Sequence, residues 1–272
     1  MACCYASLWI ALGIEPRLSS FYRSDRFALG YDNNLNHKIL SIPNEIHPVT
    51  SKHVSRFELY DFTSSSWKVL DDVTPEWMIR PHRDSVSLKG NAYFLTILRG
   101  FFICFDFTTE SFGPLLPLPL RPGHGGVSVS LSCVREDQLA VLYQHSDKTI
   151  EISVTDKIGP DVVSWTKFLK LLTGFRVNPN YGSFFIDEEK KIAVVFVLER
   201  AKACRYQTAH VNGQNGYFKS VRIREAPYLQ NGSSPRKKYH PPPLCSSYLL
   251  SFTATQPTRL METNVIIFFR II

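Results

Sequence analysis

Apolar and polar positions alternate along this chain in short runs, and no segment sustains helical spacing. The runs come in pairs around polar turns: 85–90 then 92–97, 127–134 then 138–143, and 183–186 then 191–198. They are rich in β-branched and aromatic residues, which suit a pleated, half-buried surface. The turns between them, Lys89-Gly90-Asn91, Arg135-Glu136-Asp137 and Asp187-Glu188-Glu189-Lys190, have the chemistry of tight hairpins. Residues 165–172, short and punctuated by lysine, read as a strand plus a turn.

A longer period overlies this one. Tyr60-Asp61-Phe62-Thr63 runs on to Trp67, and Phe105-Asp106-Phe107-Thr108 runs on to Phe112. Asp61 and Asp106 stand 45 residues apart, and so do Trp67 and Phe112. A repeat of about 45 residues is one four-stranded propeller blade. Weaker copies follow. Thr155-Asp156 precedes Trp165, which lies 53 residues beyond Phe112; the extra length is assigned to a longer turn at 157–163, carrying Gly159 and Pro160. Thr208-Ala209-His210-Val211 begins a fourth copy, with a turn at Asn212-Gly213 and Tyr217-Phe218-Lys219 in the aromatic place. The expected fold is all-β: a β-propeller of four-stranded antiparallel blades, about four in number and short of a full ring.

With strands named a to d in each blade, antiparallel order puts the a–b and c–d turns at one end and the b–c and d–a connections at the other. The Asp-Phe-Thr turns and the Lys-Gly-Asn hairpin then share an end. The long irregular connections, 75–84, 116–126 and 173–182, share the other. Recognition concentrates on irregular loops carried by a rigid frame. Trp77, Arg83, Arg121, Phe175, Arg176 and Tyr181 lie in these loops and are of types favoured at interface hot spots. A packing role, with Trp77 and Phe175 plugging gaps between blades, competes with recognition for each of them.

The 272 residues, 44% hydrophobic and 20% charged, fit one globular all-β domain. The net charge of +7 raises nucleic acid as a partner, but the basic residues are scattered. The one compact run, Arg236-Lys237-Lys238, sits in a Gly/Ser/Pro-rich stretch at 231–243 that reads as a solvated loop, so no nucleic-acid partner is expected. No membrane partner is expected either. Residues 2–14 lack a basic leader and a small-residue cleavage site, and the apolar stretch 264–272 is too short to span a bilayer. The six cysteines form no Cys-x-x-Cys pair and mostly sit in apolar runs, which points to a reducing compartment, cytosol or nucleus.

No nucleophile motif, phosphate-cradling loop or paired histidine is present in the sequence, so neither catalysis nor a metal or cofactor is expected. The glycine cluster at Gly123-His124-Gly125-Gly126 reads as a flexible connection after Pro117, Pro119 and Pro122. Asp61 and Asp106 invite a paired-carboxylate reading. Their equivalence in the repeat favours another, in which each side chain accepts from backbone N–H groups of its own turn. Trp67, Phe112 and Trp165 read as blade-packing aromatics.

Several strings, in order, carry a family resemblance: Ile14-Glu15-Pro16-Arg17, Asp25 through Asn33, Glu58-Leu59-Tyr60-Asp61-Phe62-Thr63, Trp67-Lys68-Val69-Leu70, Val86 through Tyr93, Phe105 through Glu110, and Phe184 through Lys191. Together with 212–219 and Cys245-Ser246-Ser247-Tyr248, they resemble the plant F-box-associated domain, the kelch-like half of a large F-box protein family. The resemblance implies a domain over 1–255 that binds a target protein, followed by an apolar tail at 256–272. In that family an F-box docks on the Skp adaptor of a cullin-based ubiquitin ligase. No helical Leu-Pro-rich pattern precedes Trp9, and residues 1–12 lack the family's usual Asn-Pro-x-x-Gly-Gln turn. The expectation is therefore an N-terminally truncated domain with an unknown target, reaching adaptor and cullin only if an F-box is supplied elsewhere. The competing readings are an enzyme or sugar-binding propeller of the kelch/galactose-oxidase kind, and a non-functional truncated product.

Overall fold

The structure, a computed structural model, describes residues 26–42, 45–46, 53–54, 57–70, 79, 85–98, 100–119, 128–135, 137–177, 183–200, 204–214 and 216–227. Eighteen strands and no helix occur among them. In chain order they are β1 Arg26–Tyr31, β2 His37–Ile42, β3 Glu45–Ile46, β4 His53–Val54, β5 Phe57–Asp61 and β6 Ser66–Leu70. Next come β7 Val86–Leu88, β8 Asn91–Leu95, β9 Phe101–Asp106, β10 Ser111–Pro117, β11 Ser128–Val134 and β12 Gln138–Gln144. The last six are β13 Thr149–Ile158, β14 Val163–Leu172, β15 Ser183–Asp187, β16 Ile192–Arg200, β17 Cys204–Gly213 and β18 Phe218–Pro227. They form four four-stranded sheets, β1-β2-β5-β6, β7-β8-β9-β10, β11-β12-β13-β14 and β15-β16-β17-β18. A small β3-β4 ribbon is inserted in the first b–c connection. This is the all-β, propeller-type architecture, and each sheet is a blade of strands a to d in chain order.

Three positions in the sequence reading move. The c–d turns occupy four residues in every blade: 62–65, 107–110, 159–162 and 214–217. The 53-residue step before Trp165 is therefore not a longer turn. It is longer strands, with 7, 7 and 10 residues in β11, β12 and β13 against 3, 5 and 6 in β7, β8 and β9. The turn closes tightly, with Gly159 N donating to Val162 O at 2.9 Å. Residues 165–172 are likewise one strand, not strand plus turn. Lys167 and Lys170 lie at exposed positions of an outer strand, where lysine does not interrupt the ladder. The fourth copy turns after Gly213 rather than at it, closed by Gly216 N donating to Gly213 O at 3.1 Å.

The chain divides into two compact units: Met1–Pro122 with Arg135–Gln138 and Thr155–Trp165, and Gly123–Val134 with Leu139–Val154 and Thr166–Ile272. The first has an aromatic core. Phe57, Phe94, Phe105 and Phe107 are buried with Leu40, Leu59 and Ile103, and Phe112 lies edge-on to both Phe57 and Phe105 at 5.0 Å. Each fully buried phenylalanine contributes about 1.5–3 kcal/mol through burial alone. Close approach is enforced at Gly30, where a Cβ would collide with the Phe107 ring and the Gly90 carbonyl. The second unit has an aliphatic core cluster built around Leu142, Ile150, Ile152, Val195 and Val197, which also takes in Phe175 and Phe184. Its b strands, β12 and β16, are buried over 139–144 and 193–197, so they read as continuous apolar runs and not as alternation.

Candidate recognition loops

At the turn end of the blades, side chains are committed to the scaffold. Asp61 Oδ1 accepts from Thr63 N at 2.7 Å, and Asp106 Oδ1 accepts from Thr108 N at 2.7 Å. Ser65 and Glu110, the last residues of these two turns, both take φ of 52°. The equivalent residues thus do equivalent work, as the repeat predicted, and the two carboxylates are turn caps. The β7–β8 hairpin turns through Lys89 and Gly90, with φ of 50° and 80°, the two-residue geometry that favours glycine.

Sequence reading missed a buried charge at this end. Lys38 is 6% exposed; its Nζ lies 2.9 Å from Glu110 Oε1 and 3.3 Å from Asp32 Oδ2, and it donates to Phe107 O at 3.3 Å. Glu110 also pairs with Lys68. Burial pushes the Asp32 carboxyl up, but hydrogen bonds from Asn36, Asn34 and Lys38 outweigh it and hold the group at about 2. Glu110 is lowered too: burial opposes, and its bonds to Lys68 and Lys38 win. The available signal was a lysine in the interior of β2, next to the apolar Ile39 and Leu40.

The repeat aromatics pack. Trp67 is tilted on Tyr60 at 5.1 Å. Trp165 meets Phe102 edge-on at 5.8 Å and donates Nε1–H to Pro117 O at 3.0 Å. Cys104 is buried, and burial pushes its thiol up to about 12, so it is unreactive. No group of three or more His, Cys, Asp or Glu arranged to hold a metal ion occurs among the described residues.

The opposite end joins b–c turns to d–a connections, as antiparallel order requires. Leu118 N donates to Gly100 O at 2.8 Å in the first unit, and Thr173 N to Lys148 O at 3.1 Å in the second. Trp77, Arg83, Arg121 and Tyr181 lie outside the described residues. Arg176 is exposed and donates through Nη2 to Ser146 O at 3.3 Å, which sets it over the β12–β13 turn. Phe175, its neighbour, is buried to 9% and joins the core of its unit.

That loop is held from a distance. Gln144, fully buried at the end of β12, accepts from Val177 N at 2.8 Å and donates to Phe175 O at 3.1 Å. Thr173 Oγ1 donates to Lys148 O at 2.7 Å. The Phe175 ring stacks on His210 of β17, with centroids 3.9 Å apart and planes at 14°, and Phe218 of β18 stacks on His210 at 5.8 Å. Both His210 ring nitrogens are buried without a hydrogen bond, and Glu199 is 3.5 Å from Nε2. Burial pushes the imidazole below its usual 6.5, and Glu199 opposes only in part. Sequence reasoning missed Gln144 and His210 because their partners lie roughly thirty residues away.

Four four-stranded antiparallel blades with hydrogen-bonded turns define a propeller-type fold. The chain belongs to the F-box associated beta propeller domain family, which matches residues 5–253. It is 49% identical to an F-box/kelch-repeat protein of Arabidopsis thaliana, over 92% of this chain and 67% of that protein. An F-box protein of the same plant is 44% identical over 89% of this chain and 66% of its own length, and a further F-box/kelch-repeat protein is 42% identical over 90% and 64%. The chain spans about two thirds of the length of these relatives. Among solved structures, an arginine-substituted variant of AofleA from Arthrobotrys oligospora aligns over 75% of this chain and 59% of its own, with a TM-score of 0.40 and 13% identity. That likeness is too low to bear on function.

Proposed function

We propose that this domain is a non-enzymatic protein-recognition module that holds a target on the loop end of its blades, as the substrate-recognition part of an SCF-type ubiquitin ligase. The observation that carries the reading is the difference between the two ends. At the turn end the polar groups of the repeated turns cap their own backbone. At the loop end an exposed Arg176 stands on a loop fixed from beneath by Gln144 and Phe175. A rigid base under an exposed cation lowers the entropy lost on binding. Trp77, Arg83, Arg121 and Tyr181, outside the described residues, are proposed as further target-binding residues.

The test is affinity capture from plant tissue with the wild-type chain and a Trp77→Ala/Arg83→Ala/Arg176→Ala variant. Loss of a specific partner in the variant supports the loop end, and an unchanged partner set overturns it. Coupling to a Skp adaptor and cullin requires an F-box, and tight adaptor binding by residues 1–272 alone would contradict that requirement. Action in cytosol or nucleus is proposed on the buried free thiol of Cys104; imaging of a fluorescent fusion in a secretory compartment would refute it.

A further inference from the structure

His210 of β17 is 5% exposed, and neither of its ring nitrogens has a hydrogen-bond partner. Two phenylalanines stack on the ring, and they differ. Phe175, 3.9 Å away, is 9% exposed and belongs to a core cluster with Val195 and Val197. Phe218, 5.8 Å away, is 55% exposed and opens the outer strand β18, just after the 214–217 turn. One cover is built into the core, and the other lies at the surface.

A proton on the ring makes both nitrogens donors. From β16, Glu199 stands 3.5 Å from Nε2, with its Oε2 accepting from Thr208 Oγ1 at 3.2 Å. On β17 itself, Thr208 and Asn212 share the face of His210 and are uncharged, and Asn212 Nδ2 donates to the His210 carbonyl at 2.8 Å. On β18 the register sets Ser220 opposite His210 and Arg222 opposite Thr208, so the charge that strand adds to this face is a cation. The 173–177 loop brings Arg176, which is turned to Ser146 O. Glu199 can therefore meet a proton at Nε2, and no carboxylate faces Nδ1 among the described residues. A charged ring needs water at Nδ1. The less costly way in is past the surface cover, since moving Phe175 disturbs a close-packed core.

We propose that Phe218 is an acid-opened cover on His210: it lies on the neutral ring, and protonation of the ring moves the Phe218 side chain aside to admit water. Burial holds the imidazole below its usual 6.5, the direction a closed cover requires. The cover is therefore closed at neutral pH and opens below 6.5. It does not depend on the function proposed for the loop end. The two share only Phe175, which stacks on the same ring.

The test is a fluorine NMR titration of the full chain carrying 4-fluorophenylalanine at position 218, from about pH 7.5 to about pH 5, beside the His210 Cε1–H proton signal. The fluorine signal is expected to move with the same midpoint as the histidine, and that midpoint to lie below 6.5. His210→Phe is expected to abolish the fluorine response. Phe218→Ala removes the cover and is expected to raise the proton affinity of His210 by about threefold or more. Glu199→Gln removes the opposing carboxylate and is expected to lower it. A fluorine signal that stays still while His210 titrates means that the ring is charged under a closed cover, and overturns the proposal. So does a fluorine response that survives His210→Phe, an unchanged midpoint in Phe218→Ala, or an imidazole that gains its proton only as the whole chain unfolds. The fluorinated chain differs from the wild type by one fluorine, so this arm stands even if a variant fails to fold.

Discussion

The turns at Asp61 and Asp106 and the loop at 173–177 are held in opposite ways. Each turn is capped from within, by a carboxylate reaching two residues along its own chain. Inside the loop Thr173 Oγ1 lies 3.1 Å from Phe175 O, but the remaining hold comes from a distance. Gln144 holds it from 33 residues upstream, and Phe175 is stacked on His210 in another blade of the same unit. A local cap costs little entropy to form, since its partners are already neighbours. A distant anchor must be assembled by the fold, so it is strong only once the core around it exists. The turn end is therefore modular and the loop end cooperative, which suits a surface that must present fixed side chains.

This contrast can be broken at its strongest point first. Phe175→Ala is expected to cost about 3–5 kcal/mol, since it empties a core position and removes the His210 stack; thermal unfolding of the chain measures it. A loss under about 1 kcal/mol would mean that the loop is not part of the core. Gln144→Ala leaves Val177 N buried and unpaired, and is expected to cost about 2 kcal/mol. Amide exchange should show Val177 losing protection while the 62–65 turn keeps its own.

Acid should separate the two ends by pH, with a smaller effect. The His210 imidazole is depressed below 6.5 in the folded chain, so the unfolded chain binds its proton first. Stability from this group is complete above 6.5 and is lost as pH falls through the lower folded value. Glu199 is the charged group facing it, and Phe175 and Phe218 cover the ring. At the turn end the Asp32 carboxyl, depressed from 3.8 to about 2, gives stability that is lost only below about pH 4. Melting temperatures measured from pH 7 to 3 should fall in two steps, and His210→Phe should remove the upper one. A single step near pH 4 in the wild type would show that His210 is not buried as described. The smallest effect is expected from Asp106→Ala, about 1 kcal/mol, because the freed Thr108 N–H can turn to water. A loss as large as that of Gln144→Ala would erase the distinction between local and distant anchoring.

The pattern of runs and turns carried much of the architecture. The 45-residue period of the Asp-Phe-Thr strings gave blades, and the hairpin residues gave strand boundaries within one or two positions. Both signals are local: an Asx turn or a φ-positive glycine acts on atoms a few bonds away, so it leaves its mark in consecutive residues. The step before Trp165 misled because spacing counts residues and does not say whether they lengthen a turn or a ladder. The recognition loops were legible only as irregularity. Which of their residues face outward was not, as the neighbours Phe175 and Arg176 show, one in the core and the other exposed.

The sequence by itself determined an all-β chain of repeated blades, its turn caps and its family, because periodicity and turn chemistry are encoded over short distances. Only the tertiary structure decided that Lys38 is buried among carboxylates and that Gln144 and His210 fix a loop. Those properties are relations between segments far apart in the chain, and only packing brings the segments together.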